Sequence, residues 1–169
     1  AFAAYCERVV DALADRVKTW VTVNEPTVFS TMGYTLGMFP PGRRSIPATL
    51  RVMRNLLFAH GTVYKALKPK HPELQFGVAK NVTLFDPKNR WSPIDWPLAR
   101  LMEWVWNGAW RSGIRNGKMF FKEIPEAKAS LDFVGLNYYT HVLVGPASVS
   151  LLKMKFPKRR QEVATEFGY

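Results

Sequence analysis

Three stretches that read as strands, Val21-Thr22-Val23, QFGVAKNVTLFDP and LDFVGLNYYTHVLV, alternate along the chain with three helical segments, and this alternation narrows the fold more than any other feature. Residues 1–18 carry Phe2, Tyr5, Val9, Val10, Leu13 and Val17 at three-and-four spacing, the stripe of an amphipathic helix. Over residues 48–72, Leu50, Met53, Leu56, Leu57, His60, Val63, Tyr64 and Leu67 run down one broad face until Pro69 stops the pattern. A third helix starts at about Pro97, where Trp104, Trp106 and Trp110 join Leu98, Leu101 and Met102 in an apolar surface meant for packing. The order helix, strand, repeated three times, predicts parallel strands joined by right-handed helical crossovers, in an open sheet or a barrel. The second strand is apolar on both sides, as expected where helices cover one face and a packed interior the other.

The strand ends are where chemistry is expected. Val21, Thr22 and Val23 form a β-branched run that stops at Asn24-Glu25, and Pro26 cannot continue a ladder. In barrels and open α/β sheets that edge binds ligands, so Glu25 is the candidate catalytic group and Asn24 its neighbour for recognition. The same three residues also suit a plain turn. Asn81 interrupts the second strand, and a buried amide needs partners, either in a structural network or in a site. The third strand ends in Asn137, Tyr138, Tyr139 and Thr140, again a polar and aromatic end on an apolar stem. Between Thr27 and Pro47 glycines and prolines punctuate a long irregular connection, whose Phe29, Tyr34 and Phe39 read as loop packing and whose Arg43-Arg44 reads as a solvated pair. Residues 120–130 give little regular signal. His60 reads as a hydrogen-bonded core histidine, Gly61 as a point of close packing and Cys6 as a buried structural thiol.

Composition removes several classes. A 47% hydrophobic and 14% aromatic content over 169 residues supports one packed domain and excludes disorder. A membrane span or signal peptide is not expected, since no 18-residue uncharged apolar run occurs. The first residues read as mid-helix, as in an excised piece. One cysteine rules out an intrachain disulfide and favours a reducing, cytoplasmic setting. His60, His71 and His141 show no metal spacing, so neither metal nor cofactor is expected. The net charge of +11 would steer anions, yet the basic residues form no element interleaved with stacking aromatics. Lys153, Lys155, Lys158, Arg159 and Arg160 read as a solvated basic loop, in a tail with at most a short strand, rather than a nucleic-acid site.

TVNEP (22–26) and DFVGLNYYT (132–140) together resemble glycoside hydrolase family 1, the β-glucosidase and β-galactosidase family of (β/α)8 barrels. GYTLGMFPPG (33–42) is similar to the family's loop after the fourth strand, and NLLFAHGTVYKAL (55–67) to the helix that follows it. The resemblance implies a partial TIM barrel, about three βα units corresponding to strands four to six, with residues 1–169 as a single fragment of a glycosidase domain. It implies that Glu25 is the general acid/base, that Asn24 binds the sugar 2-hydroxyl, and that Tyr139 hydrogen-bonds the nucleophile. Asn81 would match a polar residue at the end of the fifth strand. A glycosidic oxygen leaves poorly unless protonated, which a carboxyl of raised pKa can do before activating water. A retaining mechanism also needs a second carboxylate roughly 5 Å away. The family's TENG-like block that bears it is absent from this sequence, and Glu166 resembles a linker acid instead. The implied partners are a β-glycoside or oligosaccharide and a complementary barrel segment or another chain, since an arc of three strands cannot close.

Overall fold

The structure, a computed structural model, describes residues 1–146; the basic cluster at 153–160 and Glu166 lie outside the described residues. In chain order the elements are α1 (Phe2–Leu13), β1 (Thr19–Asn24), α2 (Pro26–Ser30), α3 (Ile46–Leu67), β2 (Gln75–Pro87), α4 (Asp95–Glu103), α5 (Ala109–Asn116), the two-residue β3 (Lys118–Met119) and β4 (Lys122–Glu123), and β5 (Phe133–Val144). β1 pairs with β2 in parallel, and the sheet order is β1-β2-β5, a partial parallel sheet flanked by helices as in a fragment of a (β/α)8 barrel. Two expectations need correction. The connection after Glu25 is not irregular throughout, because α2 runs into a π-helical turn at Thr31–Thr35. Residues 120–130 contain the β3–β4 hairpin and a 3₁₀ turn at Pro125–Ala127, elements too short to leave a periodic trace.

The backbone groups into two compact units, one of Ala1–Asn81 with Ala109–Asn137, the other of Val82–Gly108 with the described residues from Tyr138 on. In the first, α3 is the central helix. Ser45 caps it by accepting the Ala48 N–H at 3.3 Å, and Pro47 fits the first turn, where an N–H would have no partner. Its apolar stripe serves two clusters. Met53 and Leu57 pack with Val78, Ala109, Trp110, Met119 and Ile124, while Val63 and Leu67 pack with Val10, Leu74 and Phe76. Cys6 only edges the second cluster, partly exposed, and burial pushes its thiol pKa up.

Two glycines permit close approaches in this unit. A Cβ on Gly61 would stand 2.4 Å from the Glu126 carbonyl oxygen, and one on Gly77 would meet the Phe133 backbone and ring. Asp132 clasps the lower end of the sheet: its carboxylate accepts from the Phe76 N–H at 2.9 Å and the Tyr64 hydroxyl at 2.8 Å, and pairs with Lys68 at 3.1 Å.

In the second unit, Ala99, Val142 and Val144 form the core with Phe85, Leu98 and Met102. The Asp95 carboxylate orders the turn before α4 by accepting from the Asn89 N–H and the Ser92 hydroxyl. Trp106 is buried against Phe85, and Trp104 is largely exposed. Among the described residues no helix is long and apolar enough to cross a membrane, and no cluster of three metal-ligating side chains occurs.

Candidate active site

The site sits at the carboxyl end of β1, and backbone geometry sets it before any side chain does. Asn24 is the last residue of the strand and stands opposite Ala79 of β2. Glu25 then leaves the sheet with φ 45° and ψ 55°, a left-handed conformation that β-carbon sterics disfavour and that a following proline further restricts. Two hydrogen bonds and a proline hold it there. Its N–H donates to the Ala79 carbonyl at 2.7 Å, its own carbonyl accepts from the Phe29 N–H at 2.9 Å, and Pro26 opens α2 with the φ that a first helical residue needs. A residue forced into a sparsely populated region by its surroundings is a common mark of a functional position.

The side chain is fixed by the third strand. Asn137 Nδ2, on β5, donates to Glu25 Oε1 at 2.8 Å and reaches Asn24 Oδ1 at 3.5 Å. With its carbonyl oxygen turned toward Asn137, exposed Asn24 leaves its NH₂ free to donate to an incoming hydroxyl. A half-buried carboxyl beside an exposed amide donor is what protonation and binding of a polyol require.

The predicted residues are distributed unevenly. Asn24 and Glu25 share one strand end, and Asn137, noted in the sequence only as part of a polar strand terminus, is the residue that joins them. No local pattern marks it, because its partner Glu25 lies 112 positions away. Tyr139 belongs to the second unit and is 51% exposed. Asn81 is buried on β2, where its carbonyl accepts from the Lys80 ammonium. His60 is fully buried, as expected, with Nδ1 2.6 Å from Thr22 Oγ1. Burial lowers its pKa to about 4, against a smaller upward pull from the Ser130 backbone. Phe29 and Tyr34 pack on each other with ring centroids 6.2 Å apart, and Arg43 and Arg44 are exposed.

A family model described as glycosyl hydrolase family 1 matches residues 1–166. Beta-glucosidase A of Thermotoga maritima is 30% identical over 178 residues, covering 93% of this chain and 40% of its own length. Beta-glucosidase 40 of Arabidopsis thaliana is 32% identical over 168 residues, with coverages of 82% and 33%. Among solved structures, the family 1 β-glucosidase from Thermotoga maritima superposes with a TM-score of 0.83 at 29% identity, covering 99% of this chain and 40% of that one. The β-glycosidase from Pyrococcus horikoshii gives 0.81 at 29% identity, with the same coverages of 99% and 40%. The chain thus spans about two-fifths of the length of its Thermotoga relatives, from 40% to 42%.

Proposed function

Because the chain belongs to glycosyl hydrolase family 1, we propose that it is an arc of a β-glycosidase barrel, non-catalytic by itself, carrying one half of a catalytic pair. The observation that supports this most is the makeup of the strand end. Glu25 is aimed by Asn137 and flanked by Asn24, and no second carboxylate joins it in the hydrogen bonds described. The sequence likewise contains no TENG-like block. A retaining displacement needs both carboxylates, one to protonate the leaving oxygen and one to attack the anomeric carbon. An arc with one of them can bind and position a sugar but cannot turn it over.

Within a complete barrel, Glu25 is the general acid/base. Its protonated carboxyl gives a proton to the glycosidic oxygen as that bond breaks; the resulting carboxylate then takes a proton from the water that releases the sugar from the nucleophile. Asn24 donates to the sugar hydroxyl beside the reacting carbon, a bond that strengthens as positive charge develops on the ring. Asn137 holds the Glu25 carboxyl in line for both transfers, and Tyr139 is assigned to the nucleophile's side of the site.

The test uses an aryl β-glucoside. The 169-residue chain is expected to release no phenol above background, whereas the chain completed with the remaining barrel strands turns over. Glu25→Gln in that assembly is expected to lower kcat/KM by about 100-fold or more. Turnover by the isolated chain would overturn the non-catalytic assignment, and equal turnover in the Glu25→Gln assembly would overturn the acid/base role.

A further inference from the structure

β1 and β2 do not pair one residue for one. Thr19, Trp20 and Val21 stand opposite Gln75, Phe76 and Gly77, but Val23 and Asn24 stand opposite Val78 and Ala79. Thr22 is therefore an extra residue, a β-bulge. Side chains alternate across a strand, so one extra residue exchanges the faces of everything beyond it. Trp20 and Phe76 both point into the helix layer, where they pack in the Val63–Leu67 cluster, and Gly77 faces the other way. Continued one for one, the register would bring Asn24 opposite Lys80, which shares the face of Phe76 and Val78. With the bulge, Asn24 stands opposite Ala79, on the face of Gly77. The bulge is what turns the strand end toward the site.

Something must keep the extra residue in place, because a slip of one position would restore regular pairing. Thr22 Oγ1 donates to the Gly77 carbonyl at 3.2 Å, across the irregular step itself. The same oxygen stands 2.6 Å from His60 Nδ1, so the ring, the hydroxyl and the Gly77 carbonyl form one hydrogen-bonded chain. His60 is held by its own packing. It is fully buried on the 22-residue α3, beside Gly61, whose backbone is pressed against Glu126. The relay from His60 through Thr22 to Gly77 thus ties the bulge to α3, on the helix-covered face of the sheet.

We propose that Thr22 and His60 are positioning residues: together they pin the bulge that sets the direction of Asn24 and Glu25, and so the meeting of Glu25 with Asn137. The proposal rests on Glu25 acting as the acid/base, and its test separates the two. In the 169-residue chain with ¹⁵N-labelled asparagine side chains, the Asn137 amide resonances report whether the bond to Glu25 forms. Thr22→Val, which keeps the shape and removes the hydroxyl, is expected to shift them; Thr22→Ser is expected to leave them in place. Leu57→Ala, which loosens the core and leaves the relay's hydrogen-bonding groups in place, is the control and is expected to leave them as well. In the completed barrel Thr22→Val is expected to lower kcat by about 100-fold with KM unchanged, and Thr22→Ser to restore it. If Thr22→Val does not fold, His60→Gln is read in the same two ways. Unchanged Asn137 resonances in Thr22→Val, or an equal shift in Leu57→Ala, would overturn the proposal. A wild-type barrel without turnover would instead sink the acid/base assignment, while the resonances still decide the bulge.

Discussion

Glu25 combines two features that rarely coincide, a left-handed backbone and a following proline, and the conformation of a non-glycine residue there costs on the order of 1–3 kcal/mol. The Ala79 carbonyl and the Asn137 amide offset that cost. A stability consequence follows that is independent of catalysis. With the carboxylate removed in both variants, Glu25→Gly is expected to exceed Glu25→Ala in unfolding free energy by about 1 kcal/mol, since glycine accepts positive φ without strain. Urea unfolding measures it; equal midpoints would mean that the left-handed geometry is not adopted in solution. This residue was legible in the sequence because strand, acid and proline are adjacent, so local sterics alone mark the strand end. Asn137 was not, because its partnership with Glu25 crosses 112 positions, and no local pattern distinguishes an asparagine that meets a carboxylate from one that ends a strand.

Among the elements, α3 was the most legible, since its buried stripe follows helical periodicity and Pro69 stands after it; the Ser45 cap was not read in advance. The π-helical turn at Thr31–Thr35 was not, because its glycines read as loop punctuation and its hydrogen-bond pattern leaves no period of its own. Two predictions belong to α3. In a helix interior alanine is worth about 1 kcal/mol over glycine. At Gly61, however, the added carbon would lie 2.4 Å from a backbone oxygen, and such overpacking costs about 3 kcal/mol. Overpacking wins, so Gly61→Ala is expected to lose roughly 2 kcal/mol in chemical denaturation; a gain would show that Glu126 moves aside freely. The second concerns pH. Burial holds the His60 pKa near 4, so the unfolded chain takes up a proton between pH 4 and 6.5 that the folded chain refuses. Stability therefore rises with pH through that window, by up to about 3 kcal/mol, and His60→Gln is expected to flatten the rise in urea midpoints. Asp132 adds the same sign further into acid. Burial acts to raise its pKa, but the Phe76 N–H, the Tyr64 hydroxyl and Lys68 outweigh it and hold the carboxyl below its ordinary value. Tyr64 limits the alkaline side: burial and the neighbouring Asp132 raise its pKa to about 12, so the stability it contributes is lost as pH climbs from 10 toward 12.

At the scale of the molecule, the parallel arc was legible because alternating helices and strands leave few connections other than right-handed crossovers. The grouping into two units was not, since β2 and β5 each run through both and their apolar patterns do not change at the boundary. Among the described residues the outer two strands of the order β1-β2-β5 each have one neighbour, and an open strand edge is a template for pairing with another chain. Concentration-dependent association is expected in sedimentation, weakened at low salt by the +11 charge; a monomer at every concentration would show that the edges are protected. The spacing of contacts along the chain also orders events in time. His60 meets Thr22 across 38 positions, whereas Asn137 meets Glu25 across 112. Closing the longer span costs only about 1 kcal/mol more in chain entropy, but it must wait for the third strand to arrive. The expected order is therefore that the bulge is set in the folding transition state and the bond to Glu25 is made on the native side of it. Thr22→Val is expected to slow refolding, and Asn137→Leu to speed unfolding while refolding keeps its pace. A chain emerging during synthesis would thus aim its acid before the residue that steadies it has been made.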